Sequence, residues 1–308
     1  MRLAWYTTTF LCAFFSPVCF GAQTVTKLNT VNGNFLIVPV SITGSGPYSF
    51  ILDTGSNRTL IRNTLLETLR ISSTRVVPLN MTNGVIYTRE AVAKSVAVAG
   101  LSVNDLEVEG IDDDQLARIS AFVQGVLGED FLKHFDVLID NHVKTLTLDD
   151  SADLAHSLSG EHLPLSFSGR RGDQSTVDRL VLNVKLFSIE KLHFQLDSGT
   201  NSATFFPSKA VPYIGPGAFR ETITTPKGNS QCRIDFVTLK IGKSTFHNQR
   251  LASYEGVTRD NLDMDGTLPI SMFDRLFISH AEAYAIVNPR IQKPSGSTLS
   301  VALSRPFR

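Results

Sequence analysis

The chain has 308 residues, enough for one large or two modest domains with a proper core. Hydrophobic residues make up 42% of it and charged residues 19%, and the formal net charge is zero. Because there is no basic excess, a polyanionic partner is disfavoured, and we expect no nucleic-acid partner.

The first 22 residues differ from the rest of the chain. Arg2 gives a positive start, residues 3–15 form a mostly apolar run, and Gly21 and Ala22 offer small residues for cleavage. This pattern predicts a signal peptide over residues 1–22. The alternative is a membrane anchor, which is disfavoured because the apolar run is too short to span a bilayer. We therefore expect no integral membrane segment after signal removal.

The cysteines bear on the compartment. Cys12 and Cys19 lie in the predicted signal peptide, so only Cys232 would remain and no disulfide can form within the mature chain. Secreted eukaryotic proteins of this size usually carry disulfides. We therefore predict an exported protein of the bacterial periplasm or cell envelope, with secretion as the alternative and lipidation of Cys19 left open.

Past the signal, short apolar and β-branched runs alternate with Gly, Asn, Asp and Ser, which predicts an all-β protein. The predicted strands are residues 35–42, 48–52, 92–98, 137–139, 145–148, 180–186, 193–196, 236–241 and 283–287. A helix is predicted over residues 65–69, opened by a capping box of Thr64 and Glu67, and a second over residues 130–135.

The chain divides at polar stretches. Residues 149–161 are typical of a connector, and residues 293–308 are rich in Pro, Gly and Ser. The predicted division is a signal peptide (1–22), an N-terminal lobe (23–155), a C-terminal lobe (156–292) and a tail (293–308).

Two stretches nearly repeat each other, Phe-Ile-Leu-Asp-Thr-Gly-Ser at 50–56 and Phe-Gln-Leu-Asp-Ser-Gly-Thr at 194–200. A second repeat follows each at similar spacing, Gly-Val-Leu-Gly at 125–128 and Gly-Thr-Leu-Pro at 266–269. Matched order at matched spacing predicts duplication of one unit, with one carboxylate, Asp53 or Asp197, in each copy.

Either acidic motif alone is more typical of a turn than of a catalyst, but the pair favours chemistry. Glycine after each aspartate and hydroxyl residue lets two loops approach closely. The hydroxyls of Thr54 and Ser198 can cross-link those loops. Two carboxylates a few ångströms apart cannot both ionise cheaply, so they share one proton.

With these motifs the chain resembles the pepsin and retropepsin-type aspartic peptidases, above all the bacterial group related to retroviral gag–pol proteases. The resemblance implies an all-β, two-lobed acid-protease fold, with each lobe a small closed barrel-like β domain and the lobes related by a pseudo-twofold axis. It also implies an endopeptidase that cleaves peptide or protein substrates with a water activated between Asp53 and Asp197, without metal or other cofactor.

The resemblance also assigns supporting and substrate-binding residues. The supporting residues are Thr54, Gly55, Ser56, Ser198, Gly199 and Thr200. An Asn-Gly dipeptide predicts a hairpin over residues 79–87, and the family's flap lies at this distance from the first aspartate. Its predicted substrate-binding residues are Thr82, Asn83, Gly84 and Tyr87. A surface hairpin without a role is the alternative, and residues 224–228 should form its counterpart in the second half.

One departure from the family pattern keeps a rival interpretation open. Pro269 stands where the family has a glycine, so the second half has diverged. The rival is a catalytically weak or inactive envelope protein that binds peptides or assists assembly on the same fold, and self-assembly through a strand edge is a third possibility. Motifs of zinc hydrolases, serine hydrolases and phosphate-binding loops are absent, and the scattered histidines predict no metal site.

Overall fold

The computed structural model describes residues 23–32, 35–81, 84–168, 179–206, 219–225, 228–254 and 264–292, and within them the protein is mostly β. The strands of the first half are β1 (Gln23–Lys27), β2 (Asn29–Val31), β3 (Phe35–Ile42), β4 (Ser45–Leu52), β5 (Leu60–Arg62), β6 (Ser73–Met81), β7 (Gly84–Val98), β8 (Leu101–Ile111), β9 (Gly125–Leu127), β10 (Asp136–Asp140) and β11 (Thr145–Asp149).

The strands of the second half are β12 (Leu158–Ser159), β13 (Leu163–Pro164), β14 (Ser166–Ser168), β15 (Arg179–Leu186), β16 (Ile189–Asp197), β17 (Ala203–Phe205), β18 (Phe219–Thr225), β19 (Gly228–Ile241), β20 (Ser244–Tyr254), β21 (Gly266–Pro269), β22 (Arg275–Ser279), β23 (Tyr284–Val287) and β24 (Arg290–Ile291). The described helices are α1 (Asn63–Thr68), α2 (Asp113–Ala117), α3 (Glu129–Leu132) and α4 (Asp153–His156), with a 3₁₀ turn at Ile270–Met272.

The two halves contain the same sheet. The first has the strand order β2-β3-β4-β9-β5-β8-β7-β6 and the second β14-β15-β16-β21-β17-β20-β19-β18. Additional pairings, β3 with β7 and β15 with β19, fold each sheet back on itself into a barrel-like form. This strand-for-strand correspondence confirms the all-β, two-lobed fold with a repeated unit.

A third sheet joins the lobes. Its order is β1-β11-β10-β22-β23-β13, and β10 of the first half pairs antiparallel with β22 of the second, with Val137 opposite Ile278. Strands from both halves therefore belong to one sheet. The predicted boundary between the lobes, after residue 155, falls within α4 and stays a prediction.

The glycines of the second repeat allow the aspartate-bearing strands to pack. Phe50 and Phe194 are fully buried, one in each lobe, directly opposite Gly125 and Gly266 in parallel pairings. A Cβ at Gly125 would lie 2.3 Å from the Phe50 ring, and one at Gly266 would lie 2.6 Å from the Phe194 ring. In each lobe the ring of the repeated phenylalanine thus packs against the repeated glycine, where no side chain could fit.

The nine predicted strands are all present, but the helices differ from their predictions. Helix α1 begins at Asn63, and the predicted capping box is wrong: Thr64 makes no cap and donates instead to Asp113 Oδ1 at 2.9 Å. Helix α3 is only one turn, because the chain turns into β10 after Phe135. The polar stretch 149–161 carries α4 and β12.

Candidate active site

Equivalent strands bring the two aspartates to turns that face each other. β4 ends at Leu52, one residue before Asp53, and β16 ends at Asp197 itself. Each strand is held by a parallel neighbour, β9 or β21, so the turn after it projects from a fully paired part of the sheet. Both aspartates keep part of their surface accessible.

The two turns are cross-linked by reciprocal hydrogen bonds. The Thr54 N–H donates to Ser198 Oγ at 2.9 Å, and the Ser198 N–H donates to Thr54 Oγ1 at 3.1 Å. Each hydroxyl then donates onward, Thr54 to the Leu196 carbonyl at 3.1 Å and Ser198 to the Leu52 carbonyl at 2.7 Å. With both side chains buried, these four bonds fix one turn against the other.

The glycines at 55 and 199 face the opposite carboxylate. A Cβ at Gly55 would lie 2.5 Å from Asp197 Cγ, and one at Gly199 would lie 2.6 Å from Asp53 Oδ2. Each glycine N–H donates to its own aspartate, at 2.9 Å to Asp53 Oδ1 and 2.8 Å to Asp197 Oδ1. Any side chain at either glycine would displace the facing carboxylate.

The carboxyl groups of Asp53 and Asp197 interact directly and influence each other's ionisation, as expected for a pair that shares a proton. Desolvation raises the pKa of Asp53, with Gly55 and Ser56 N–H groups opposing it. Desolvation also raises the pKa of Asp197 well above its usual range, and the charge of Asp53 adds to this effect. The pair therefore holds a proton to higher pH than ordinary carboxyl groups do.

The hydroxyl groups of Ser56 and Thr200 support the turns through backbone carbonyls. The Ser56 hydroxyl donates to the Arg58 carbonyl at 2.8 Å, and the Thr200 hydroxyl donates to the Ser202 carbonyl at 3.2 Å. Their equivalent contacts extend the pseudo-twofold relation of the site.

Gln195 breaks that relation and was missed from the sequence. Gln195 has the position on β16 that Ile51 has on β4. Its side chain is buried, and its Nε2 donates to the Gly55 carbonyl at 3.0 Å. The available signal was an amide between the apolar residues Phe194 and Leu196, since a buried polar group requires a partner.

A buried polar network supports only the first turn. The Thr59 N–H and hydroxyl donate to Asp130 at 2.8 and 2.6 Å, and the Gly128 N–H donates to Thr59 Oγ1 at 3.2 Å. Burial is the largest influence on Asp130 and raises its pKa to about 6, although its bonds to Thr59 act the other way.

In the second lobe Pro269 takes the place of Gly128, and Ala203 takes the place of Thr59. Proline lacks the N–H that Gly128 donates, and alanine lacks the hydroxyl that accepts it. The donor and its acceptor are thus missing together. Pro269 is buried and stays in register with Asp197, so the turn keeps its form.

Charged residues lie beside the first lobe's turn. Arg58 contacts Glu107 at 3.4 Å and Glu109 at 3.8 Å, and Arg75 bonds Glu90 at 2.7 Å. Burial raises the pKa of Asp130 and of Glu109, and the positive charge of Arg58 opposes this effect in both.

The predicted hairpin is present, whereas its role stays a prediction. β6 and β7 pair with Met81 opposite Gly84, and Tyr87 on β7 is 77% exposed. Thr82 and Asn83 lie outside the described residues. β18 and β19 form the counterpart in the second lobe, with Thr225 opposite Gly228.

Comparison with known proteins addresses the class of the fold. Residues 38–131 match a family model described as Aspartyl protease, a segment that runs from β3 to α3 and contains Asp53. The match covers under a third of the chain and confirms the resemblance to aspartic peptidases. No curated protein matches the chain. The second lobe is connected to the first by its identical strand order and its own aspartate turn.

In the part of the chain that the structure describes, no group of three or more His, Cys, Asp or Glu residues is arranged to hold a metal ion. No described helix has the length and apolar character needed to cross a membrane. Cys232 is buried on β19 beside Ile234 and Ala252 and forms no disulfide.

Proposed function

We propose that this protein is an exported aspartic endopeptidase that hydrolyses peptide bonds with a water activated between Asp53 and Asp197. The observation that carries the proposal is the contact between the two carboxyl groups, each presented by an equivalent turn and facing the other turn's glycine. If the two turns had only a structural role, contact between their acids would be a disadvantage, because a buried pair of acids costs stability unless it shares a proton.

The proposed chemistry uses that shared proton. The ionised carboxylate takes a proton from a water bound between the pair, and the protonated carboxyl group donates to the oxygen of the scissile carbonyl. The water attacks the carbonyl carbon, and a tetrahedral gem-diol forms. Its collapse, with proton transfer to the amine, releases the two products. These steps are those by which aspartic peptidases use such a dyad.

The supports of the dyad match this chemistry. Cross-links through Thr54 and Ser198 restrain the carboxyl groups, which favours water activation because the reacting groups need no reorganisation. An extended substrate would pair its backbone with the β6–β7 hairpin and place alternate side chains in pockets of the two lobes.

The test is a cleavage profile of the purified chain on a peptide library, read by mass spectrometry. We expect Asp53→Asn and Asp197→Asn each to lose at least about 1,000-fold in kcat/KM, and the double variant to lose little more, because the pair acts as one unit. Asp105→Asn is the matched control: Asp105 is exposed with φ of 50°, a conformation that asparagine also adopts readily.

The result that would overturn the proposal is the absence of cleavage between roughly pH 3 and 8, the span in which a shared-proton dyad can work. Peptide binding that survives both substitutions would then favour the rival, a binding or assembly protein on this fold.

Export has its own test. Expression of the full chain in a bacterium, followed by fractionation and N-terminal sequencing, should yield an envelope protein that starts at Ala22 or Gln23. A cytoplasmic product that retains Met1 would contradict the export part of the proposal and leave the peptidase part standing.

A further inference from the structure

A second buried acid lies directly behind the Asp53 turn. Glu129 is the first residue of α3 and only 1% exposed. Its N–H donates to the Ser56 carbonyl at 2.8 Å, and the Ser56 N–H donates to the Asp53 carbonyl at 3.2 Å. Glu129 is therefore two backbone hydrogen bonds away from the proposed catalytic aspartate.

The side chain of Glu129 reaches into the second half of the molecule. Its Oε2 lies 2.8 Å from Nε2 of His280, which directly follows β22. The Nδ1 of His280 lies 2.7 Å from the Phe135 carbonyl oxygen. Because a carbonyl only accepts, Nδ1 carries a proton, and the imidazole is clamped between a carbonyl and a carboxylate of the first half.

Glu129 is incompletely satisfied. Among the described residues, its Oε1 is fully buried and has no hydrogen-bond partner. A buried, half-bonded carboxylate costs stability, so its retention beside the dyad requires an explanation.

The pair has no counterpart in the second lobe. There, the residue after Pro269 is Ile270, an apolar side chain 2% exposed. The negative charge of Glu129 acts on Asp53 and raises its pKa, and Ile270 brings no equivalent charge to Asp197. The charged surroundings of Asp53 therefore differ from those of Asp197.

Several charged groups face the pair. Asp136, at the start of β10, favours the protonated form of His280 and is itself hydrogen-bonded to Ser279. Asp149 and Glu282 act on Asp136, and Lys133 and His280 act on His134. Burial lowers the pKa of His280, but its hydrogen bond with Glu129 and the charges of Glu129 and Asp136 outweigh burial and raise it.

We propose that Glu129 and His280 are a positioning pair that ties the Asp53 turn to the second lobe and sets the pH at which the dyad loses its first proton. The inference rests on the proposed function. Both residues are proposed to act through other groups and not on the reacting atoms. Their effect passes through the Ser56 carbonyl and through the field of the Glu129 carboxylate.

Glu129→Gln separates charge from contact. The glutamine amide can donate to Nε2 of a neutral His280. Nδ1 of that histidine keeps its proton and still donates to the Phe135 carbonyl, so both contacts survive. We expect the acid limb of kcat/KM against pH to move to lower pH by on the order of 0.5 unit, because a negative charge near Asp53 is gone. Glu190→Gln, an exposed glutamate, is the matched control and should leave the limb in place.

His280→Gln removes the clamp and leaves Glu129 buried without its cation. We expect lower kcat with little change in KM, and partial recovery of kcat in the double variant with Glu129→Gln, where two neutral amides can bond. His247→Gln, at an exposed histidine of β20, is the matched control. Strictly additive effects of the two substitutions would overturn the positioning role.

A second measurement does not depend on turnover. Carboxyl-carbon NMR of labelled aspartates can follow the titration of the dyad, and imidazole signals can follow His280, in the wild-type chain and in Glu129→Gln. A shift of the first dyad titration to lower pH supports the proposal even if no peptide is cleaved, whereas absence of cleavage refutes the proposed function alone. An unmoved titration and an unmoved acid limb together overturn the positioning pair.

Discussion

Thr54 and Ser198, 144 positions apart in the chain, exchange backbone-to-hydroxyl hydrogen bonds across the pseudo-twofold axis. Thr54→Val leaves the Ser198 N–H and the Leu196 carbonyl unpaired, and Ser198→Ala does the same to the Thr54 N–H and the Leu52 carbonyl. Each unpaired buried group costs about 1–3 kcal/mol, so urea unfolding should show a loss of that order or larger for either variant. Thr54→Ser keeps the hydroxyl and should stay near wild-type stability. Equal stability of Thr54→Val and Thr54→Ser would contradict this prediction.

Gly55→Ala and Gly199→Ala should strongly reduce cleavage while the chain still folds. The new methyl group would overlap the facing carboxylate, 2.5 Å from Asp197 Cγ or 2.6 Å from Asp53 Oδ2, and must push it aside. Circular dichroism should stay native while kcat/KM falls by about 100-fold or more, since small misplacement of a reacting group has such effects. Gly100→Ala is the control for backbone strain without a facing group, because Gly100 has a φ of 97° and its Cβ would meet no atom within 4 Å. Full activity in either turn variant would rule out the facing arrangement.

The pH dependence of cleavage should reflect the raised pKa values of the dyad. Desolvation, with the charge of Asp53 second, raises the pKa of Asp197 well above its ordinary range, so its proton is retained as pH rises past about 4. The alkaline limb of kcat/KM should therefore lie above the pH at which ordinary carboxyl groups ionise. An alkaline limb at the ordinary carboxyl pKa would show that the two acids do not interact.

Much of this could be predicted from the sequence, because local patterns determine it. Alternating short strands, the repeated motifs around Asp53 and Asp197, and the Asn-Gly hairpin were all legible in the order of residues. Gln195 and the contact of Glu129 with His280 were not, since they depend on residues brought together only by the assembled lobes. The capping box failed because α1 begins two residues earlier than predicted, directly from β5.

Asp130 should make the protein less stable as pH rises. Burial raises its pKa to about 6 in the folded state, so the folded chain binds this proton more tightly than the unfolded chain, whose aspartate titrates near 3.9. The resulting stability is present at low pH and is lost between about pH 4 and pH 6, by on the order of 3 kcal/mol.

Asp130→Asn should remove that dependence. Urea unfolding at pH 4.5 and pH 7 compares the two chains, and Asp105→Asn serves as the exposed control. If the free energy of unfolding changed by the same amount between pH 4.5 and pH 7 in the wild-type chain and in Asp130→Asn, the assignment would be refuted.

The ion pair between Asp140 and Arg275 should matter more than a surface pair. Arg275 Nε lies 2.5 Å from Asp140 Oδ2 across the β10–β22 ladder, and Asp140 is 6% exposed. Burial opposes ionisation of Asp140, but the hydrogen bond and charge of Arg275, together with the N–H groups of Val143 and His142, outweigh burial and lower the pKa. This stability is present at neutral pH and is lost as acid protonates Asp140.

Arg275→Met should thus cost about 3 kcal/mol at pH 7 and less in acid, because it strands a buried carboxylate. Lys185→Met breaks the exposed pair with Glu190 and should cost at most about 1 kcal/mol. Similar losses for both variants in urea unfolding would contradict the special role of this pair.

The strand order that the halves share has an evolutionary consequence. In a dimer of identical chains, any change to one turn is imposed on both. Here the two turns are encoded separately, so Thr59 and Asp130 persist in one copy while Ala203 and Pro269 stand in the other. Each turn can therefore change without the other, so a substitution that alters the surroundings of Asp53 need not disturb those of Asp197.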